Sequence, residues 1–192
     1  MAFLTELWLP ILLSAILVFV VSSILWMATP LHKKDFLPPP NEDGLMSVIK
    51  THNFGPGSYY VPWCGNPGAQ KDPTFQAKMK SGPWAMLTVM SNAPSFAQSL
   101  ALWFASQLIV SAIIAYAAAA ALTMGAGAPD YLKVFQVVGA IAFLANAAMA
   151  PQDSIWKGVS WTRTAVRVFD GLVYALVTAG TFAWLWPREL AG

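Results

Sequence analysis

Three side chains could bind a transition metal through nitrogen or sulfur: His32, His52 and Cys64, which are both histidines and the sole cysteine of the chain. Imidazole and thiolate together suit zinc or copper, and Met46 or Met79 would complete a copper(I) set. The separations of 20 and 12 residues match no compact ligand motif. Isolated surface histidines and a buried thiol are therefore the favoured reading, and His32 beside Lys33 and Lys34 also suits anionic lipid headgroups. For covalent or phosphoryl chemistry the chain offers less. "GPGSYY" has the glycines of a phosphate loop without the following Lys-Ser/Thr. Glu42, Asp43 and Asp72 read as solvated loop acids, so the sequence predicts a non-catalytic protein with no cofactor.

A second group of chemically unusual residues lies in "TRTAVRVFDGLVYALVTAG", residues 162–180, an apolar stretch carrying Arg163, Arg167 and Asp170. A charge at the centre of a membrane-spanning helix costs about 2.5–3.5 kcal/mol. Counting about 20 residues back from Trp186 sets the hydrocarbon edge near Arg167. Arg163 then lies among headgroups, Arg167 snorkels to them, and Asp170 pairs with Arg167 three positions away. These charges are expected to anchor the helix and tie it to its neighbours. Gly171, Ala175, Ala179 and Ala183 recur at four-residue spacing, a ridge that admits another helix closely. Tyr174, Thr178 and Thr181 run beside it. Gln136, Gly139 and Asn146 in the preceding segment, and Ser99, Ser106, Gln107 and Ser111 before that, supply further polar positions. Such groups either line an aqueous path, for which Gln136, Asn146 and Tyr174 are the candidates, or bond one another between helices. The second use is the commoner.

The elements that must position these residues follow from composition. The chain is 57% hydrophobic and 10% charged over 192 residues, whereas soluble domains carry about 25% charged residues. Four segments are long and apolar enough to span a bilayer: 7–28, within 96–124, within 131–150 and within 161–186. Tryptophans near their ends suit interfacial belts. The fold class expected is an all-α membrane protein of four transmembrane helices with a small α+β cytoplasmic insert between helices 1 and 2. The domains are 1–29, the first helix; 30–94, the insert; and 95–192, helices 2 to 4. Within the insert the pattern predicts a helix over "EDGLMSVIKTHN" capped by Asn41 or Asp43, a strand near "SYYV", a helix over "PTFQAKMKSG" and a strand at "WAMLTVM".

Nine basic residues fall on the side that carries the insert. Only Lys133 and Arg188 fall on the other. Because basic loops stay inside, the insert is expected in the cytoplasm and both termini outside, with Cys64 in a reducing compartment. The first segment lacks a basic leader and a cleavage site, and reads as a retained helix. A net charge of +2 offers no nucleic-acid patch.

"PLHKKDF", "NEDGLMSVI", "GPGSYYVP", "DSIWKGVSW" and "FDGLVYALVTAGTFAWLWPR" together resemble a family of small bacterial inner-membrane proteins. The resemblance covers about half the chain. It implies about four helices in a bacterial inner membrane and carries over no activity and no site residues. The function expected is a scaffold or accessory subunit of a membrane assembly, with membrane lipids and either further copies of itself or other subunits as partners. A channel or transporter for a small solute is the alternative, and a metal-binding role through the insert the second alternative.

Overall fold

The computed structural model describes residues 2–122 and 129–187; Met124, at the end of the second expected segment, and Arg188 lie outside the described residues. In chain order the elements are α1 (Ala2–Glu6), α2 (Trp8–Ser23) continuing as a π turn (Ile24–Ala28), α3 (Glu42–Thr51), β1 (Gly57–Val61), a 3₁₀ turn (Pro67–Lys71), α4 (Pro73–Ser81), β2 (Ala85–Val89), α5 (Phe96–Leu122), α6 (Tyr131–Asn146), α7 (Ala150–Lys157) and α8 (Trp161–Leu185). Four helical stretches are long and apolar enough to cross a membrane: Trp8–Ala28, Phe96–Leu122, Tyr131–Lys157 and Trp161–Leu185. The chain divides into two compact units, Met1–Phe36 with Phe96–Gly192, and Leu37–Ser95. Residues 30–36, counted with the insert on sequence grounds, thus belong with the long helices. His32 and Asp35 make the ties that hold them there.

The first unit packs through small residues. A Cβ built on Gly171 of α8 would come within 2.6 Å of the Ala147 Cβ, so the two backbones meet with no room for a side chain. Higher up, Gly139 of α6 faces the Ala179 Cβ at 3.4 Å. Ala175 and Ala179 are buried, beside Val134, Val138 and Ala142 of α6 and Ile114, Ala115 and Ala118 of α5. The ridge read from the sequence is therefore used inside one chain. Hydroxyls do the same between α2 and α5. Ser14 and Ser111 lie 2.6 Å apart, each within 3.2 Å of the Ile11 carbonyl, and Trp103 Nε1 donates to Ser22 Oγ at 2.9 Å.

The third long helical stretch is broken. α6 ends at Asn146, whose amide donates to the Ala142 carbonyl at 2.8 Å, and α7 starts at Ala150 with Pro151 in its first turn. Proline has no N–H to return to the residue four before it, and its ring crowds that carbonyl. The Ser160 hydroxyl then accepts the Arg163 N–H and opens α8.

In the second unit β1 and β2 pair antiparallel, from Gly57 opposite Val89 to Val61 opposite Ala85. Asn41 caps α3 by accepting the Gly44 N–H at 2.9 Å. Asp72 caps α4, accepting the N–H groups of Thr74 and Phe75 at 2.6 and 3.3 Å. Pro62 is the one buried side chain of residues 37–95. Leu45, Met46, Val48, Trp63, Trp84 and Met86 all remain exposed.

Two expectations follow. Gly171→Ala should lower stability by about 1–3 kcal/mol through overpacking, read as thermal unfolding in detergent. Gly180→Ala, where an added Cβ meets nothing within 4 Å, should not; equal behaviour of the two variants would refute the close-approach account. The backbone N–H groups of Thr74, then Phe75, hold the Asp72 carboxyl below its ordinary 3.8. Because the folded value is the lower one, the cap stabilises α4 fully above 3.8 and is lost as pH falls through that lowered value. Amide shifts of Thr74 and Phe75 should titrate with a midpoint under 3.8, and a midpoint at or above it counts against the cap.

Candidate functional site

After the π turn the chain folds back on itself through residues 30–36. The Asp35 N–H donates to the His32 carbonyl at 3.0 Å, which sets both side chains on one side of the turn. His32 Nδ1 lies 2.9 Å from Asp35 Oδ2, and the other face of the ring, at Nε2, lies 3.1 Å from Asp170 Oδ2 on α8. All three residues are buried: His32 is 8% exposed, Asp35 7% and Asp170 4%. The Trp26 indole covers the imidazole in a near-parallel stack, with centroids 3.9 Å apart and planes 6° off parallel. π turns recur at functional positions, and Trp26 sits within this one. Arg163 closes the group from α8, with Nε 3.6 Å from Asp35 Oδ1 and its guanidinium 5.2 Å above the Phe36 ring.

The charge arithmetic of the cluster is tight. An imidazole with carboxylate oxygens at both nitrogens meets one of them with a lone pair unless a proton is added to the ring or to an acid. Each buried acid lies beside a basic side chain, Asp170 beside His32 and Asp35 beside His32 and Arg163, which offsets the cost of burying them. One acceptor is left over. Asp170 Oδ1 is buried with no hydrogen-bond partner among the described residues, and His32 Nε2 and Arg163 Nε also lie off the hydrogen-bonding direction of their acids.

The pairing differs from the one expected. Arg167 does not turn to Asp170; its Nη1 donates to Asp153 Oδ2 on α7 at 2.6 Å, where Lys157 also binds at 2.7 Å. Asp170 is buried whereas the Arg167 side chain is 42% exposed. The long guanidinium thus reaches outward to a half-exposed acid, and the compact imidazole enters at depth. The sequence signal for the second acid was present in "HKKD", since positions three apart face the same way in a turn. Nothing local pointed to Asp153 or Trp26.

A cavity of about 410 Å³ opens beside the cluster. Asp170, Asn146, Tyr174, Arg167, Trp26 and Trp103 are on its wall. Of the three residues proposed for a polar path, the fold brings Asn146 and Tyr174 together, whereas Gln136 is exposed and not on this wall. Of the three metal candidates, His32 joins Asp35 and Asp170, while His52 and Cys64 belong to the second unit. Among the described residues no group of three or more His, Cys, Asp or Glu is disposed to hold a metal ion. Cys64 has its thiol 3.1 Å from the Asn66 carbonyl. Comparison with family models, with curated proteins and with solved structures returned no match for this chain.

Removing His32 leaves two buried acids facing one another with Arg163 alone. His32→Ala should cost about 3–5 kcal/mol, measured as denaturant unfolding in micelles. Asp170→Asn added to it should restore part of that loss, since the charge left unpaired is gone. Strict additivity of the two changes would show that no coupling exists.

Proposed function

We propose that this chain is a multi-pass protein of the bacterial inner membrane, with both termini periplasmic and residues 37–95 cytoplasmic, serving as a scaffold or accessory subunit of a membrane assembly. The observation that carries it is the second unit. Its two strands and two helices bury no side chain, Pro62 just after β1 being the one buried residue of the unit, and Leu45, Met46, Val48 and Met86 stay exposed. An isolated two-stranded sheet is marginal in water, and exposed apolar side chains in such number suit a partner surface. The spanning helices support the same reading. Much of their apolar surface is not covered by the chain itself, which leaves α5 positions such as Leu102, Ile109 and Ile113 to lipid or to neighbouring subunits.

Transport is the second reading, favoured by the meeting of Asp170, Asn146 and Tyr174 at one cavity. Its requirement is flux into liposomes that Asp170→Asn alters. Absent or unaltered flux removes it.

The scaffold reading predicts that the particle extracted gently from its native membrane exceeds the mass of one chain with its detergent. Val48→Asp and Met86→Lys should shrink it without lowering the unfolding temperature of the helical unit. A wild-type particle of single-chain mass would contradict the proposal. Orientation has its own check in Cys64, the sole cysteine. A membrane-impermeant maleimide should label inverted vesicles and spare intact spheroplasts, and labelling of intact spheroplasts reverses the topology.

A further inference from the structure

The 410 Å³ cavity shares two of its walls, Trp26 and Trp103, with a second hollow of about 210 Å³. The two differ in chemistry. The first carries Asp170, Arg167 and Asn146; the second is lined by Met27, Phe96, Leu100 and the two indoles, with Ser22 and Ser23 at its edge. A polar chamber and an apolar groove that meet at the same two indoles fit an amphiphile better than a solute. Ser22 is already occupied by the Trp103 indole N–H, so the groove offers little besides hydrocarbon contact.

We infer that the paired hollows hold one membrane lipid whose headgroup carries a primary ammonium next to a phosphate, with an acyl chain in the groove. The ammonium is specified by Asp170, 4% exposed, whose Oδ1 has no hydrogen-bond partner among the described residues. An alkylammonium brings N–H donors to that oxygen, and Trp103 and Tyr174, with ring centroids 6.3 Å apart, line the same chamber and offer electron-rich surfaces to a cation. The phosphate is specified by Arg167. Asp153 holds one of its nitrogens and no other bond to it is found among the described residues, so the rest of the guanidinium fork is available to an anion. Arg167 and Asp170 lie three residues apart on α8, about 4.5 Å of helix rise, a separation that suits a phosphate and an ammonium joined by a two-carbon bridge. The choice of a lipid over a free amine rests on the groove, which a soluble amine leaves empty. It rests equally on the membrane reading above.

The test is lipid occupancy of the full chain in nanodiscs, followed by release into a mass spectrometer. Incorporation into the discs itself reports the membrane reading, and lipid selectivity reports the site. An ethanolamine phospholipid should be retained about tenfold better than its choline counterpart, which lacks N–H donors, and better than a glycerol headgroup, which lacks the cation. Asp170→Asn should abolish the preference for ethanolamine over choline. Arg167→Gln, a half-exposed position that leaves His32 and its acids untouched, should weaken retention of both phospholipids and keeps the test open if the Asp170 variant does not fold. Equal retention of ethanolamine and choline lipids by the folded wild type overturns the proposal. So does unchanged retention in Arg167→Gln. Displacement of the lipid by free phosphoethanolamine at comparable concentration would assign the chamber to a soluble amine instead, and overturns the lipid as occupant.

Discussion

Asp170 is the constraint around which the first unit is arranged. A carboxylate only 4% exposed within a long apolar helix is costly unless a polar partner is buried with it. Its own helix does not supply one, because Arg167 is drawn outward to Asp153. The partner comes instead from His32, carried on a turn that leaves α2 and doubles back, with Nε2 3.1 Å from Asp170 Oδ2. That contact ties residues 30–36 to α8, and Arg163 adds a second tie from α8 to the buried Asp35.

The rest of the bundle complements this cluster by avoiding bulk. Gly171, next to Asp170 in sequence, admits the backbone at Ala147. That approach sits where α6 gives way to α7, and the break between them places Asp153 within reach of Arg167. Close packing, the helix break and the ion pairs are thus one arrangement. A larger residue at 171 would push α8 from α6 and separate two sets of charges at once.

The two units differ in how they are stabilised. The first has a continuous core of small and branched residues from its long helices. The second relies on local devices: side-chain caps from Asn41 and Asp72, a cross-strand contact of Ser58 with Thr88, and the Trp84 indole donating to the Met79 carbonyl. Local devices fix backbone conformation but bury little apolar area, which is the physical basis for proposing that this unit has a partner.

Sequence by itself determined the elements. The four long helices, the order helix, strand, helix, strand in the insert, and Asn41 as one of two caps offered for α3 were legible, because length, apolar content and short polar caps act within one or two turns of the residues that carry them; Asp72, read as a solvated loop acid, instead caps α4. It also marked Gly171, Ala175 and Ala179 as a ridge, without telling whether the ridge met its own chain or another. Tertiary structure alone decided that it meets α6. The choice of charge partners was likewise out of reach. Arg167 had an acid three residues ahead and took one fourteen residues behind, and His32 found an acid 138 positions away. Ion pairing in a low-dielectric interior is settled by depth and direction of approach, and those are properties of packed helices that no local pattern records.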